Sequence, residues 1–356
     1  MGVRESFWSG RRVLVTGDTG FKGSWLTLWL SELGATVFGV SLAPDEPRNL
    51  NRALGDGLVT RSWRTDIRDA PGLLAVFQAA DPEVVFHLAA QSLVRRSYAE
   101  PTYTFDVNVR GTTNVLDATL ATETVRAVVV VTSDKVYSQD LGGPPFSETD
   151  RLGGRDPYSA SKACTELAVA AYRNSFFAER GIALTTARAG NVIGGGDWAS
   201  DRLVPDCVRA LERGESIALR YPRSVRPWQH VLDPLAGYLM AAEQMLSRPD
   251  EYPTALNFGP HEANCIPVHE LVERISVYWD ACPRWTTSTE RAPEEAAVLL
   301  LSSDLALATL GWAPRLDLDR SLRWTAHWYS SFLKGKDVGG LSREQIGRYQ
   351  QLGEAS

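Results

Sequence analysis

Residues 11–34, RRVLVTGDTGFKGSWLTLWLSELG, decide the fold of this chain. The apolar residues 13–15 predict a short buried strand, and the large apolar side chains of residues 25–33 recur at helical spacing. Between them, three glycines lie at GxxGxxG spacing. A glycine loop between a strand and a helix lets the backbone approach a pyrophosphate, which then lies on the helix N-terminus. The stretch therefore predicts a dinucleotide site, and a tight strand-to-helix turn without a ligand is the alternative.

Strands alternate with long helical segments outward from this stretch as far as residue 192. Such alternation predicts βαβ units and an α/β fold with a doubly wound, parallel Rossmann-type sheet. Glycine and proline clusters with shorter elements follow, and they predict a smaller, mixed C-terminal lobe that binds the substrate. We expect a dinucleotide-binding domain at 1–192 with a later return near 226–260, a mainly substrate-binding lobe at 193–334, and a polar, poorly packed tail at 335–356.

Composition excludes several classes of protein. The 356 residues are 44% hydrophobic, and a net charge of -6 with a pI near 5.5 argues against a nucleic-acid binder. No apolar run approaches the ~18 residues of a membrane span, and the N-terminus lacks the pattern of a signal peptide. The cysteines are far apart in sequence, which predicts reduced thiols in a cytoplasmic protein and no metal site. They are Cys164, Cys207, Cys265 and Cys282.

Lysine is scarce in this chain. Only five of the 37 lysine and arginine residues are lysine, at positions 22, 135, 162, 334 and 336. A chain that uses arginine for nearly all its positive charge keeps lysine where the ammonium itself matters. The first three lysines each lie in a motif that carries chemistry.

The cofactor end of the predicted sheet leaves NAD and NADP open. The acid that usually binds the adenosine ribose at the end of the second strand is replaced by Ser41, and Asp45 comes some residues late. Arg48 could instead meet a 2′-phosphate. Asp66 and Ile67 are placed to hold an adenine edge, although a capped helix start explains them equally well.

The stretch AVVVVTSDKVYS, residues 127–138, reads as a buried strand that ends in an acid and a lysine. Open α/β sheets place their chemistry at this end of a strand, whereas a surface ion pair is the alternative for Asp134 and Lys135. Downstream, Tyr158 and Lys162 lie four residues apart and therefore on one helix face. An ammonium near a phenol favours the phenolate, so this pair can act as a redox base.

The order of these motifs resembles the extended short-chain dehydrogenase/reductases that act on nucleotide sugars. The motifs that carry the resemblance are TGDTGFKG, DIRD, VVFHLAAQ, VNVRGT, TSDK, YSASK, ARAGNVIG and RPWQHV, over about residues 10–330. Within that superfamily, GFKGSWL, QSLVRRSY, GGRDPYSASK, GNVIGGGDW and RPWQHVLDPLAGYL are most similar to the CDP-glucose 4,6-dehydratases. Asp18, where histidine is more frequent, and Val136, where cysteine is usual, depart from the pattern.

The resemblance implies an internal redox cycle on a nucleotide sugar. Tyr158 would take the C4 hydroxyl proton as hydride leaves C4, with Ser133 on the developing oxyanion and Lys162 holding the phenolate. The 4-keto group acidifies C5–H, water is lost across C5–C6, and hydride returns to C6. The resemblance assigns Asp134 as the acid at C6 and Lys135 as the partner at C5. Lys135 can be a neutral base or a charged group that stabilises the enolate.

The resemblance also implies a tightly bound NAD that is regenerated in each turnover, a CDP-glucose substrate and a homodimer. The residues expected to bind the cofactor are Gly17, Thr19, Gly20, Phe21, Lys22, Gly23, Ser41, Asp66, Ile67, Leu88, Ala89, Ala90, Thr132, Tyr158 and Lys162. Those expected to bind the substrate are Gln91, Asn191, Arg202, Leu203, Arg226 and Trp228, with Arg95 and His230 as weaker candidates.

Two other functions fit part of the pattern. A nucleotide-sugar 4-epimerase or reductase shares the first hydride transfer, but it has no C6 hydroxyl to expel and no need of Asp134 and Lys135. A cofactor-sensing regulator that keeps the fold without turnover would not need Tyr158, Lys162 and Ser133 together. Both alternatives predict that no water is lost from a sugar substrate.

Overall fold

The structure is a computed structural model that describes residues 2–44, 47–55, 57–138, 144–249, 251–279, 285–288 and 299–353. Its strands are β1 (Arg12–Thr16), β2 (Thr36–Ser41), β3 (Arg61–Arg64), β4 (Val84–His87), β5 (Ala127–Val131), β6 (Ala183–Arg188), β7 (Val192–Ile193), β8 (Ile217–Leu219), β9 (Val225–Pro227), β10 (Gln229–His230), β11 (Ala255–Asn257), β12 (Cys265–Pro267) and β13 (Trp285–Thr287).

Helices cover the sheet on both faces. They are α1 (Glu5–Trp8), α2 (Phe21–Glu32), α3 (Leu50–Leu54), α4 (Ala70–Ala80), α5 (Val94–Ala99), α6 (Pro101–Phe105), α7 (Gly111–Leu120), α8 (Pro157–Tyr172), α9 (Leu203–Arg213), α10 (Leu232–Ser247), α11 (Val268–Ser276), α12 (Asp304–Leu310), α13 (Leu318–Leu333) and α14 (Val338–Leu352). One π-helical turn, Asp106–Arg110, joins α6 to α7.

The central sheet has seven parallel strands in the order β11-β6-β5-β4-β1-β2-β3. The predicted doubly wound fold is therefore confirmed. Strand β1 pairs with β2 on one side and β4 on the other, so the strand order reverses there. Ligands of open α/β sheets bind in the crevice beyond the carboxyl ends of the strands at such a reversal.

Strand β5 shows why the valine run does not alternate with polar residues. Ala127, Val129 and Val131 belong to the core formed with α2, α10 and α13, whereas Val128 and Val130 belong to the core formed with α4 and α7. Because helices cover both faces, every side chain of the strand is buried.

The C-terminal lobe contains short paired strands and its own small core. Strands β8 and β13 pair in parallel, β9 and β12 pair antiparallel, and Cys207, Ile217 and Val272 form part of a separate apolar cluster. Strand β11 returns to the main sheet by pairing with β6. The division of the chain at residues 192 and 334 stays a prediction.

The expectation of a poorly packed tail after residue 334 is wrong for the described residues. Residues 338–352 form α14, whose Val338, Ile346 and Tyr349 are buried. The Tyr349 ring packs edge-on against Trp29 at 5.5 Å, and its hydroxyl donates to Asp233 Oδ1 at 2.9 Å. The segment looks polar in composition, but its few apolar residues face the domain together.

None of the described helices has the length and hydropathy that crossing a membrane requires. Cys164, Cys207 and Cys265 are free thiols, and Cys282 lies outside the described residues. The described ranges hold no group of three or more potential metal ligands.

Candidate active site

A cavity of about 800 Å³ opens at the carboxyl ends of β1, β4 and β5, and residues of the C-terminal lobe line its far side. Every residue predicted to act in catalysis or to bind cofactor or substrate lines this cleft. Of the two weaker candidates, Arg95 lines it, whereas His230 is fully buried between Trp25 and Trp324. The sequence motifs therefore converge on one site, and the role of each residue stays a prediction.

The glycine loop fits a dinucleotide because backbone packs directly on backbone there. Gly17 has a φ of +77°, and a Cβ atom on it would lie 2.8 Å from the Ala89 backbone nitrogen. A Cβ atom on Gly23 would lie 2.0 Å from the Gly17 carbonyl oxygen. Only glycine allows this approach, which leaves the N-terminus of the 12-residue helix α2 open to an anion.

His87 supports the opposite wall of the cofactor region. Its Nδ1 lies 2.7 Å from Thr16 Oγ1, and its Nε2 lies 2.9 Å from Thr112 Oγ1. Because Thr112 donates to the Asn108 carbonyl oxygen, the histidine must donate from Nε2 and accept at Nδ1. Burial, together with the charge of Lys162, lowers the pKa of His87 to about 3, so the ring is neutral. The two hydrogen bonds of the neutral ring hold the end of β4 against β1 and α7.

The adenosine end of the cleft carries hydroxyl and guanidinium groups. Ser41 accepts from Thr19 Oγ1 at 3.0 Å and from Arg64 Nη1 at 3.2 Å. Arg48 pairs with Glu212 at 2.7 Å, which argues against the alternative that Arg48 binds the 2′-phosphate of NADP. Arg64, the last residue of β3, was not among the residues predicted from the sequence.

The DIRD motif lies where predicted, and its acid is already paired. Asp66 and Ile67 line the cleft, but both carboxylate oxygens of Asp66 accept from Arg68, at 2.7 Å for the shortest contact. The hydrogen bonds from Arg68 lower the pKa of Asp66. Asp69 caps α4 by accepting from the Gly72 backbone, so the capped helix start is also present. Asp45 lies outside the described residues.

Both departures from the family pattern turn away from the cleft. Asp18 is buried with its Oδ2 accepting from Ser62 Oγ at 2.8 Å, below the second strand. Val136 packs in a small apolar cluster with Tyr137 and Leu301. Neither side chain lines the cavity.

A single-turn helix after β5 presents the acid and the lysine. Ser133 Oγ accepts from the Lys135 backbone at 3.2 Å and donates to Asp134 Oδ1 at 2.9 Å. Asp134 is 2% exposed, and its Oδ2 has no hydrogen-bond partner in the described part of the chain. That oxygen lies against Gly190, where a Cβ atom would be 1.9 Å from it. A buried carboxylate oxygen without a partner remains available to a ligand.

The tyrosine and lysine lie on α8, which begins at the Asp156 cap. Burial raises the pKa of Tyr158 to about 12, and a hydrogen bond with Ser133 opposes the shift. Burial lowers the pKa of Lys162 to about 8, and Glu166 opposes that shift. Lys162 Nζ donates to the Val131 carbonyl oxygen at 3.2 Å, so it anchors α8 to the end of β5.

Glu166 forms a buried network that sequence reasoning missed. Its carboxylate pairs with Arg188 at 2.7 Å and accepts from Thr186 Oγ1 at 2.7 Å and from Thr132 Oγ1 at 2.5 Å. Thr132 directly precedes Ser133. The spacing could have revealed this residue, because Glu166 follows Lys162 by four positions and shares its helix face.

Two arginine clusters line the substrate side of the cleft. Arg202 pairs with Asp197 at 2.9 Å and donates to Ser92 Oγ at 3.0 Å. Arg95 and Arg220 approach Asp201 at 2.7 Å and 3.5 Å. Asp197, Asp201 and Arg220 were also missed, because the two members of an ion pair leave no signal of their pairing in a single sequence.

The remaining substrate candidates differ in what their side chains do. The Gln91 amide is already engaged, since Oε1 accepts from the Leu93 backbone at 2.7 Å and Nε2 donates to Thr104 Oγ1 at 2.9 Å. The structure thus gives Gln91 a supporting position and argues against direct sugar contact. Trp228 Nε1 donates to the Ile266 carbonyl oxygen at 3.3 Å. Asn191, Leu203 and Arg226 line the cleft.

A family model described as GDP-mannose 4,6 dehydratase matches residues 14–325. The chain belongs to this family. A CDP-glucose 4,6-dehydratase of Salmonella typhimurium is 41% identical over 98% of both chains. A dTDP-glucose 4,6-dehydratase of Streptomyces griseus is 30% identical over 89% of this chain and 93% of that protein.

Solved structures have the same fold. A UDP-glucose 4-epimerase of Thermotoga maritima with UDP-glucose is 25% identical, covers 90% of this chain and 99% of that chain, and has a TM-score of 0.75. A dTDP-glucose 4,6-dehydratase of Bacillus anthracis in complex with NAD has a TM-score of 0.75 at 21% identity, over 93% of this chain and 100% of that chain. The predicted relation to nucleotide-sugar dehydratases is confirmed.

Proposed function

We propose that this chain is an NAD-dependent CDP-glucose 4,6-dehydratase, a hydro-lyase that converts CDP-D-glucose to CDP-4-keto-6-deoxy-D-glucose and water. The observation that carries the proposal is the acid–lysine pair Asp134–Lys135 in the same cleft as Tyr158 and Lys162. A 4-epimerase needs only the second pair. The 41% identical relative over nearly the whole chain supports the same activity.

The cofactor NAD, when bound, would accept a hydride from the sugar and return it. The glycine loop would hold its pyrophosphate, and Tyr158 would take the proton of the C4 hydroxyl. Tyr158 is protonated in this structure because burial raises its pKa to about 12. Ser133 contacts both Tyr158 and Asp134, so one hydroxyl links the redox base to the acid at C6. Asp134 would then protonate the departing C6 hydroxyl.

Lys135 would act at C5 in one of two ways. As a neutral amine it takes the C5 proton, and as an ammonium it stabilises the enolate while another group moves the proton. Its backbone nitrogen donates to Ser133, which fixes the start of the side chain beside the acid. Either role requires the side chain during elimination and leaves C4 oxidation independent of it.

The substrate diphosphate would lie among the arginines of the far wall. Arg202, at the start of α9, and Arg226 are the proposed ligands, with Arg95 and Arg220 nearby. Asp197 and Asp201 hold Arg202, Arg95 and Arg220 in the cleft through ion pairs. Guanidinium groups held in this way are preorganised for phosphate oxygens.

Three further properties belong to the proposal. NAD stays tightly bound because each turnover regenerates it. NADP is the alternative cofactor, and measuring the binding of both would distinguish them. The chain forms a homodimer, and it works in the cytoplasm on a sugar nucleotide rather than on nucleic acid or membrane. The dimer is proposed from the family resemblance, and the cytoplasmic location is proposed from the composition.

The test follows the hydride and the proton separately. The purified chain with NAD is incubated with CDP-glucose that carries deuterium at C4, and the product is examined by mass spectrometry and NMR. We expect loss of one water and deuterium at C6 of the product. In deuterated water, unlabelled substrate should gain deuterium at C5. Tyr158→Phe should abolish both changes while the chain stays folded.

An isomer of unchanged mass would instead identify a 4-epimerase and overturn the dehydratase proposal. Parallel reactions with dTDP-, GDP- and UDP-glucose decide the nucleotide. If one of these is dehydrated faster than CDP-glucose, the reaction type stands and the assigned substrate is wrong.

A further inference from the structure

Lys22 lies in the glycine loop, but its side chain belongs to the catalytic end of the cleft. It is the second residue of α2 and lines the cavity together with Asp134 and Lys162. Its Nζ donates to Tyr238 Oη at 3.4 Å and lies 5.9 Å from the centre of that ring. No ion pair joins Lys22 to a carboxylate within 4.0 Å in the described ranges. A cation placed in this way neutralises no neighbouring side chain directly.

Four charged residues of the cleft interact electrostatically with Lys22. The pKa of Lys22 is lowered to about 7, mainly by burial and also by the charges of Arg202 and Lys162, whereas Asp134 and Asp197 oppose the shift. Tyr238 on α10 supplies the neutral contact. The ammonium therefore gains and loses its proton near neutral pH, beside the groups that the proposed function assigns to hydride and proton transfer.

We propose that Lys22 tunes the redox balance of the bound nicotinamide cofactor by placing a positive charge at the redox end of the cleft. The inference rests on the proposed function, because it needs a nicotinamide cofactor in this cleft. It goes beyond the phosphate contact that the glycine motif suggests, since the side chain rather than the loop backbone does the work.

The sign of the effect follows from charge. The oxidised nicotinamide ring is cationic and the reduced ring is neutral, so a protonated Lys22 opposes the oxidised form and favours the reduced form. The same charge favours hydride departure from the sugar to the cofactor. A neutral Lys22 has no such preference. The bias is therefore present below the pKa of Lys22 and is lost as pH rises through it.

The test measures binding without any sugar. Dissociation constants for NAD and NADH are determined by calorimetry at about pH 6 and about pH 9, on either side of the lysine pKa. In the parent chain the ratio Kd(NAD)/Kd(NADH) should fall about tenfold from the lower to the higher pH. Lys22→Met should lower that ratio about tenfold at pH 6 and leave it unchanged at pH 9.

Two further variants complete the design. Lys22→Arg keeps a charge at all pH values, so at pH 9 its ratio should be higher than that of the parent, even if Lys22→Met folds poorly. Lys334→Met makes the same chemical change on an exposed residue at the end of α13 and should behave like the parent. Lys162, with a pKa of about 8, titrates over the same pH range, so each variant is compared with the parent at the same pH.

Each outcome decides. A parental ratio and pH dependence in folded Lys22→Met, or a parental fall with pH in Lys22→Arg, overturns the inference. Failure of the parent chain to bind either cofactor overturns the inference and the proposed function together. The expected ratios with no dehydration of any sugar nucleotide leave Lys22 as a redox-tuning residue and overturn only the dehydratase.

Discussion

Ser133, Asp134 and Lys135 are adjacent in sequence and have three different environments. The Ser133 hydroxyl is bonded to Asp134 and contacts Tyr158, whereas Asp134 keeps one buried oxygen without a partner in the described part of the chain. Lys135 is more exposed than both of its neighbours. Three consecutive side chains therefore line one cleft. Single substitutions should separate the proposed chemistry at C4, C5 and C6.

Lys135→Met should uncouple the two halves of the reaction. We expect C4 oxidation to continue while elimination slows by at least about a hundredfold, because one acid–base or enolate-stabilising group is lost. Stopped-flow absorbance would show accumulation of reduced cofactor without loss of water from the sugar. Lys336→Met serves as the control, because Lys336 is exposed and does not line the cleft. Parental dehydration by Lys135→Met would remove Lys135 from the mechanism.

Helix α8 is the element that joins redox chemistry to the sheet. Tyr158, Lys162 and Glu166 recur every four residues along it and face the end of β5. Lys162 bonds to the last residue of β5, and Glu166 bonds to Thr132 and to Arg188 on β6. The distance between the redox pair and the acid is therefore set by buried polar contacts rather than by apolar packing alone.

Glu166→Gln should destabilise the fold by about 3 kcal/mol, because it leaves the buried Arg188 guanidinium without its charge partner. Denaturant unfolding followed by circular dichroism measures the loss. Glu100→Gln, which breaks the exposed Arg96–Glu100 pair, should cost less than about 1 kcal/mol. Equal losses in the two variants would show that burial of the Glu166 pair is unimportant.

Gly23→Ala should prevent the glycine loop from closing on α2. The added methyl group would meet the Gly17 carbonyl oxygen at 2.0 Å, and we expect a loss of about 1–3 kcal/mol in unfolding free energy together with weaker NAD binding. Gly347→Ala adds the same methyl group to α14, where it would meet no atom within 4 Å beyond its chain neighbours and its own helix backbone. That variant should gain about 0.5–1 kcal/mol. Thermal unfolding and calorimetric titration with NAD distinguish the two.

At the scale of the whole molecule, the C-terminal helix α14 packs on α2 and contacts α10 through Tyr349. Tyr349 and the Arg315 backbone both donate to Asp233 Oδ1, at 2.9 Å and 2.8 Å. Burial raises the pKa of Asp233 to about 7 against these hydrogen bonds, and its Oδ2 has no partner among the described residues. The middle and last thirds of the chain thus meet at one carboxyl group.

This carboxyl group predicts a pH-dependent stability. Because folding raises its pKa, its contribution is full below the unfolded pKa of 3.8 and is lost as pH rises through about 7. Asp233→Asn cannot titrate. We therefore expect the Tm of the variant relative to the parent to rise between about pH 4 and pH 7 and then level off, as measured by scanning calorimetry. A difference that is constant over this range would contradict the prediction.

The sequence by itself determined the sheet, the glycine loop, the acid–lysine pair and the redox tyrosine and lysine. These features depend on local periodicity and on spacing along one strand or helix, which neighbouring residues encode. Only the tertiary structure decided that Arg48 pairs with Glu212, that Gln91 is committed to its own turn, that Glu166 binds Thr132 and Arg188, and that α14 packs on the domain. Such contacts join residues distant in sequence, and burial, which follows from the fold, determines their energies and pKa values.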